Sequence, residues 1–262
     1  MHADKNYYDK NGILLLAKDQ ELTDQVLSRL RNHSVISQEL LRAGNRLTGE
    51  RINTAQISKK LKVQDKRIFD IPAQILSEII FDSRTTPWWF TINALSNYIP
   101  WIYTHSINVA LLSMIIGKSM GYGDELLWEL GLGGLLHDIG KMMVPKAIIQ
   151  KQGKLTPDEM TFMQQHCELG VSIVADCEIP ENSKMIILQH HERNDGSGYP
   201  YGLTENSIHQ SAQIATVADV VDAITSSRPY RAAKDFEVAY KILAEKSEIY
   251  PIRIVEQLRS IL

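Results

Sequence analysis

The chain has 262 residues, 44% of them hydrophobic and 23% charged, which is typical of a globular protein with a sizeable buried core. A formal net charge of −3 excludes a broadly basic surface, so we expect no duplex nucleic acid and no anionic membrane as partner. The two cysteines, Cys167 and Cys177, are too few for a disulfide framework and favour a reducing compartment.

Residues 1–50 predict a small N-terminal α+β unit. Asn11-Gly12, followed by an apolar run, is typical of a type I′ hairpin turn, because both central positions of that turn need positive φ. A short helix capped by Thr23 is expected next. The opening residues lack the apolar core of a signal peptide, and no apolar run approaches the ~20 residues of a membrane span. We therefore expect a cytoplasmic protein without membrane insertion. Whether the N-terminal unit regulates, dimerises or binds a partner stays open.

The rest of the chain is predicted to be helical, with a connection over residues 51–84 and an all-α domain over 85–262. Pro72 suits the first turn of a helix that continues through Ile80, and Pro87 suits the start of the next. The tryptophans that follow Pro87 are expected in the core.

Another helix is predicted to begin near Thr104. His105 should face inward, because apolar residues follow it at helical spacing on the same side, namely Val109, Leu112 and Ile116. The next predicted helix starts at Asp124 and runs into His137-Asp138. Each of these two helices therefore brings an imidazole towards the core.

Two later helices carry further histidines, and a loop follows the second of them. Thr156-Pro157 predicts the capped start of a helix that includes His166, and a helix after Pro180 leads into His190-His191. The glycine-rich stretch 191–200 predicts a loop.

A strongly apolar helix is predicted over residues 211–224, followed by an amphipathic helix pair. Asp219 and Asp222 lie within this buried segment and need partners, because burying an unpaired carboxylate is costly. A metal or another cation is the simplest partner for Asp219. Asp222 is expected to cap or pair within its own helix.

A lone His137-Asp138 pair is more often a capped helix end than a metal site. Here, however, it is one part of a set of five imidazoles and two carboxylates on separate helices. These seven nitrogen and oxygen ligands are enough to bind two hard or borderline metal ions without any cysteine. They are His105, His137, Asp138, His166, His190, His191 and Asp219.

This pattern resembles a known family. The motifs are His105, His137-Asp138 with Gly140-Lys141, His166, His190-His191-Glu192-Arg193 with Asp195-Gly196 and Gly198-Tyr199-Pro200, and Asp219. Over about residues 85–245 the chain resembles the HD-GYP subgroup of the HD metal-dependent phosphohydrolases. The resemblance implies an all-α, HD-type helical bundle around a metal centre. It also implies a bacterial signalling enzyme that hydrolyses cyclic di-GMP to linear pGpG, and in some members on to GMP.

Carried over position by position, the resemblance implies a binuclear centre. One metal would be held by His105, His137, Asp138 and Asp219, and Asp138 would bridge to a second held by His166, His190 and His191. Two cations about 3.5–4 Å apart can share a water, lower its pKa and hold the phosphate while the bridging hydroxide attacks. Iron or manganese suits these ligands best, and nickel, cobalt or zinc is compatible with them.

The resemblance also implies substrate contacts. Lys141 follows the bridging Asp138 closely enough to contact the phosphate, and both are candidate catalytic residues. The loop residues Gly198, Tyr199 and Pro200 are candidates for closing over a guanine base or a phosphate. Arg228 and Arg231 match positions that bind the dinucleotide phosphates, although each arginine alone is equally typical of a helix surface.

One position departs from the family pattern. Members with a third metal carry a glutamate one helical turn before the first histidine, and here that residue is Trp101. Because tryptophan cannot ligate a metal, we expect two metals, with pGpG as the main product and GMP formed slowly or not at all.

Two other interpretations stay open. One is an HD nucleotidase with a different substrate, which the intact Gly198-Tyr199-Pro200 signature disfavours. The other is a catalytically weak module that binds cyclic di-GMP and acts through a partner such as a diguanylate cyclase; whether the chain also forms a homodimer stays open. The complete ligand set disfavours the second interpretation.

Overall fold

The computed structural model describes residues 7–8, 14–16, 36–37, 66–82, 86–226 and 233–261. Three short strands near the N-terminus, β1 (Tyr7–Tyr8), β2 (Leu14–Leu16) and β3 (Ile36–Ser37), form an antiparallel sheet in the order β2-β1-β3. The pairing of β1 with β2 agrees with the predicted hairpin. The turn at residues 11–12 and the helix expected near residue 23 lie outside the described residues.

The described part of the chain is otherwise helical, which confirms the all-α class. Its α-helices are α1 (Lys66–Asp82), α2 (Pro87–Tyr98), α3 (Pro100–Ser119), α4 (Asp124–Leu136), α5 (Lys146–Ile149), α6 (Pro157–Gln164), α7 (His166–Ile173), α8 (Glu181–Gln189), α9 (Gln210–Thr225), α10 (Phe236–Ala244) and α11 (Ile252–Ser260). Short 3-10 helices span Ile139–Met143 and Glu205–Ser207. None of the helices in the described residues is long and apolar enough to cross a membrane.

Helix α3 lies at the centre of the bundle and packs against α1, α2, α4 and α9. Small residues let α4 approach it closely: a Cβ on Gly134 would meet the backbone of Ala110 at 2.7 Å. This contact sets His105 of α3 beside His137, which follows the last residue of α4. Close packing of these two apolar helices thus brings the first pair of candidate ligands together.

A second close approach joins the 3-10 helix Ile139–Met143 to α7. A Cβ on Gly140 would collide with the backbone carbonyl of His166 and would lie 2.6 Å from the backbone nitrogen of Gly170. Only glycine fits at this position, and the contact holds His166 close to Asp138.

Three predicted helix bounds are wrong. The helix of His105 begins at Pro100, not near Thr104, because proline suits the first helical position after the extended Ile99. Pro72 lies inside α1, because Phe69 packs into the core and extends the helix backwards.

The helix predicted to run from Pro157 through His166 is also divided, since α6 ends at Gln164 and α7 begins at His166. At the break, the Nδ1 atom of His166 lies 2.6 Å from the carbonyl oxygen of Met163.

Other features agree with the predictions. Trp88 and Trp89 are buried, and Thr156 forms a capping box with Glu159 at the start of α6. The apolar helix predicted over 211–224 is α9, and α10 and α11 are the C-terminal pair. The domain boundaries stay predictions, although α1 contributes to the same core as α3 and α4.

Candidate metal centre

Asp138 lies at the middle of the site, where α4 gives way to a 3-10 helix, and its side chain is buried. Its Oδ2 atom is 3.5 Å from His137 Nε2 and 3.8 Å from His105 Nε2. Its Oδ1 atom is 3.6 Å from His166 Nε2 and 3.8 Å from His190 Nε2. Each carboxylate oxygen therefore faces a different pair of imidazoles.

The candidate ligands divide into two groups that share Asp138. The carboxylate-rich group is His105, His137, Asp138 and Asp219, and the imidazole-rich group is Asp138, His166, His190 and His191. The donor atoms of His105, His137 and Asp138 lie close enough together to hold an ion, as do those of the imidazole-rich group, and Asp219 Oδ1 lies 3.1 Å from His105 Nε2. The structure thus brings together all seven side chains that the sequence singled out as metal ligands.

Backbone carbonyls orient three of the imidazoles. The Nδ1 atoms of His137, His166 and His190 lie 2.7, 2.6 and 3.0 Å from the carbonyl oxygens of Gly134, Met163 and Ile186. A carbonyl oxygen only accepts hydrogen bonds, so each Nδ1 carries the proton and each Nε2 presents its lone pair to the centre. These histidines are held in the tautomer that binds a metal.

Two buried polar atoms support metal binding directly. Apart from Ser113 Oγ, the buried side-chain atoms without a hydrogen-bond partner in the described residues are His137 Nε2 and Asp138 Oδ1. Unpaired buried polar atoms are rare because leaving them unsatisfied costs free energy. Both atoms belong to the candidate ligands, and a divalent cation would satisfy them. The residues therefore fit divalent metal ions.

Burial keeps the three histidines of the imidazole-rich group uncharged. It lowers the pKa of His166 to about 4, with Lys141 adding to the effect, and it lowers the pKa values of His190 and His191 well below the usual range. For Asp138, burial alone would raise the pKa, but Lys141 and the surrounding imidazoles hold it well below its usual range. A neutral imidazole and an ionised carboxylate are the forms that ligate metals.

His105 behaves differently. Burial opposes its charge, but hydrogen bonds and charge interactions with Asp219 and Asp222 outweigh this effect and raise its pKa to about 9. In the metal-free protein, this imidazole is therefore protonated at neutral pH, and its Nε2 proton must leave before that nitrogen can bind a metal.

Two further residues border the centre. Lys141 Nζ donates to Asp138 Oδ2 at 2.6 Å and remains partly exposed. The ring of Trp101 lies 6.3 Å from the ring of His105, centroid to centroid. The indole thus stands beside the centre, where it offers no metal ligand.

Comparison with known proteins identifies the family. The sequence profile of the HD domain family matches residues 90–250, which is more than half of the chain. The chain belongs to the HD domain family. The relatives described next support its HD-GYP character.

The HD-GYP chain is 42% identical to the cyclic di-GMP phosphodiesterase PA4108 of Pseudomonas aeruginosa, over 55% of this chain and 35% of that protein. It is 39% identical to a cyclic di-GMP phosphodiesterase of Thermotoga maritima, over 63% and 46% of the two chains. It is also 37% identical to the 3'3'-cGAMP-specific phosphodiesterase 1 of Vibrio cholerae, over 54% and 33%. The chain spans less than half the length of these curated relatives.

Among solved structures, Bd1817, an HDG"Y"P protein from Bdellovibrio bacteriovorus, matches with a TM-score of 0.54 and 21% identity, over 100% of this chain and 95% of that one. This match supports the HD-type helical fold.

The loop that gives the HD-GYP group its name is held by Glu192. This buried carboxylate accepts hydrogen bonds from the backbone nitrogens of Tyr201 (2.8 Å) and Leu203 (2.9 Å). Gly198 packs so closely on the backbone of Glu192 that a Cβ would meet its Cα at 2.5 Å. Tyr199 stacks on His191, with ring centroids 4.6 Å apart and planes tilted by 24°. The structure thus places the Gly198-Tyr199-Pro200 signature against the imidazole-rich group.

Arg228 and Arg231, the other substrate-binding candidates, lie outside the described residues. The sequence predicted that Asp222 pairs within its own helix, and it does accept a hydrogen bond from Ser226 at the end of α9. The sequence did not predict its hydrogen bonds with His105 and Asn108 on α3. No local signal in the sequence marks a contact across more than 100 residues.

Proposed function

We propose that this HD-GYP chain is a metal-dependent phosphodiesterase that hydrolyses cyclic di-GMP to linear pGpG. One observation carries the proposal: the two oxygens of Asp138 face the side chains of two different groups of candidate metal ligands. The names of the relatives from Pseudomonas and Thermotoga support cyclic di-GMP as the substrate.

We assign two divalent ions to the centre, one for each group, with Asp138 as the shared ligand. Nitrogen and oxygen donors without cysteine favour iron or manganese, with nickel, cobalt or zinc as compatible alternatives. When bound, the ions supply an activated water and neutralise the charge that develops on the phosphate oxygens. Hydrolysis adds that water across one P–O bond, so that one ribose regains its hydroxyl and the phosphate stays on the other ribose.

Lys141 is the catalytic residue that we assign to the phosphate. Its Nζ atom pairs with Asp138 and remains partly exposed, so it lies between the proposed bridging ligand and the surface. A cation bound at Asp138 would compete with Lys141 for that carboxylate. The ammonium can then turn to a phosphate oxygen, where its charge stabilises the transition state.

Tyr199 is the substrate contact with the clearest structural support. Its ring covers His191, and the neighbouring Gly198 packs against the backbone of Glu192. We assign this loop to the base or phosphate of the dinucleotide. Arg228 and Arg231 are assigned to the phosphates on the sequence resemblance alone.

Trp101 supports pGpG as the main product. Its indole occupies the neighbourhood of His105 where a carboxylate would be needed to extend the centre to a third ion. We therefore expect pGpG to accumulate and GMP to form slowly or not at all.

A second candidate substrate is 3'3'-cGAMP. It is favoured by the 37% identity to a Vibrio cholerae phosphodiesterase named for that nucleotide. The same metal chemistry would cleave it, because the two messengers differ in one base and not in the phosphodiester.

Turnover tests the proposal. Protein purified without oxygen and loaded with Mn²⁺ or Fe²⁺ is incubated with cyclic di-GMP, 3'3'-cGAMP and pGpG, and products are separated by chromatography. We expect rapid loss of cyclic di-GMP and accumulation of pGpG. Preferred cleavage of 3'3'-cGAMP would reassign the substrate, and no hydrolysis by protein that holds two ions would favour a binding module.

A matched pair of variants isolates Lys141. Lys141→Ala should lower kcat by about 10²–10³-fold, the usual effect of removing one donor that stabilises transition-state charge. Lys146→Ala is the control, because Lys146 is an exposed lysine on α5 that lies over the ring of Tyr98. Equal effects of the two substitutions would contradict the role of Lys141.

A further inference from the structure

Asp222 is a buried carboxylate one helical turn beyond Asp219 on α9, and it accepts three hydrogen bonds. Its Oδ2 atom lies 2.7 Å from His105 Nδ1. Its Oδ1 atom accepts from Asn108 Nδ2 at 2.8 Å and from Ser226 Oγ at 2.7 Å. Two of these donors are on α3, so Asp222 ties the helix of Asp219 to the helix of His105.

The contact fixes the orientation of His105. An ionised carboxylate only accepts hydrogen bonds, so Nδ1 of His105 must carry the proton. The Nε2 atom then faces Asp219 Oδ1 at 3.1 Å and Asp138 Oδ2 at 3.8 Å. His137, His166 and His190 are oriented by neutral backbone carbonyls. His105 is oriented by a charged side chain, which makes its imidazole a more basic ligand.

We propose that Asp222 is a positioning residue for one ion only, the ion of the carboxylate-rich group, and that it acts through His105. The inference rests on the proposed binuclear centre. Because Asp222 has no contact with His166, His190 or His191 among the described hydrogen bonds and ion pairs, its loss should leave the imidazole-rich group unchanged.

Asp222→Asn tests the proposal with little change in volume. An amide has one acceptor oxygen and a donor NH₂ group, whereas the pocket offers three donors. Either His105 or the pair Asn108 and Ser226 must then face an NH₂ group. His105 loses its fixed orientation or the charge that makes it basic.

The measurement is a calorimetric titration of metal-free protein with Mn²⁺. Wild type should bind two ions. In Asp222→Asn, one binding step should weaken by about 10–100-fold, the usual effect of losing a hydrogen-bond partner of a ligand, and the other step should not change. Asp124→Asn is the control, since it makes the same chemical change at a carboxylate whose side chain is 75% exposed.

A second variant separates positioning from a general structural role. In a His105→Ala background, Asp222→Asn should cause no further loss of Mn²⁺ affinity, because Asp222 has nothing left to orient. A further loss there would overturn the inference, as would equal weakening of both steps or wild-type binding in Asp222→Asn. If the wild type itself binds no Mn²⁺, the binuclear centre fails instead.

Discussion

His105 of the carboxylate-rich group and His166 of the imidazole-rich group are the same kind of side chain in opposite electrostatic settings. Burial opposes the charge of His105, but its neighbours Asp219 and Asp222 outweigh burial and raise its pKa to about 9. In the imidazole-rich group, burial lowers the pKa of His166 to about 4. The first group attracts a cation by its negative charge, and the second offers neutral imidazoles that need no deprotonation. The two proposed ions should therefore differ in affinity and in the proton release that accompanies binding.

Asp138→Ala should have the largest effect because it removes the one ligand that both groups share. We expect loss of both ions and of all measurable hydrolysis, checked by elemental analysis and product chromatography. Asp124→Ala serves as the surface control. Retention of two ions or of activity in Asp138→Ala would show that the groups are independent.

Substituting a ligand that belongs to only one of the two groups should remove only the ion of that group. Asp219→Asn should release the ion of the carboxylate-rich group, and His166→Gln should release the ion of the imidazole-rich group, each leaving one Mn²⁺ per chain in a binding titration. Hydrolysis should fall at least 10²-fold in both, because the proposed chemistry needs both ions. Loss of both ions from either single variant would contradict the division into two groups.

Gly140→Ala should increase the distance between Asp138 and His166. The added Cβ would collide with the backbone of His166 and Gly170, so the 3-10 helix that follows Asp138 must move away from α7. We expect the free energy of unfolding to fall by about 1–3 kcal/mol, as for overpacking in a core, together with weaker Mn²⁺ binding. In urea unfolding, Gly123→Ala is the matched control, since a Cβ there meets nothing within 4 Å. Equal stability of the two variants would contradict this packing.

The outcome at these residues shows what a sequence can reveal. The seven candidate ligands could be chosen from local motifs and inward-facing helix positions, and the structure brings them together. The tie from Asp222 to His105 could not be found in this way, because it depends on how α9 packs against α3. The need for glycine at position 140 could not be predicted from the neighbouring sequence either, because the backbone of another helix leaves no room for a side chain there.

The last prediction concerns the stability of the metal-free protein as a function of pH. The pKa of His105 in the folded protein lies above its usual 6.5, so its contribution is complete below pH 6.5 and is lost as pH rises through about 9. The pKa of His166 is lowered to about 4, so the unfolded chain binds the extra proton and stability falls as pH drops from 6.5 towards 4. The contributions of His105 and His166 to stability therefore change with pH in opposite directions.

Urea unfolding at a series of pH values checks these slopes. His105→Gln should flatten the alkaline side of the profile, and His166→Gln should flatten the acid side. If either substitution changes the opposite side, the assignment of the two pKa shifts is wrong.

The central claim is that two cations share Asp138, and the electron paramagnetic resonance spectrum of the Mn²⁺-loaded protein tests it most directly. Two Mn²⁺ ions joined by one carboxylate are magnetically coupled, and we predict a coupled spectrum at two equivalents of metal that is absent at Asp138→Ala. Two equivalents of bound Mn²⁺ that give only the uncoupled spectrum of isolated ions would contradict the account.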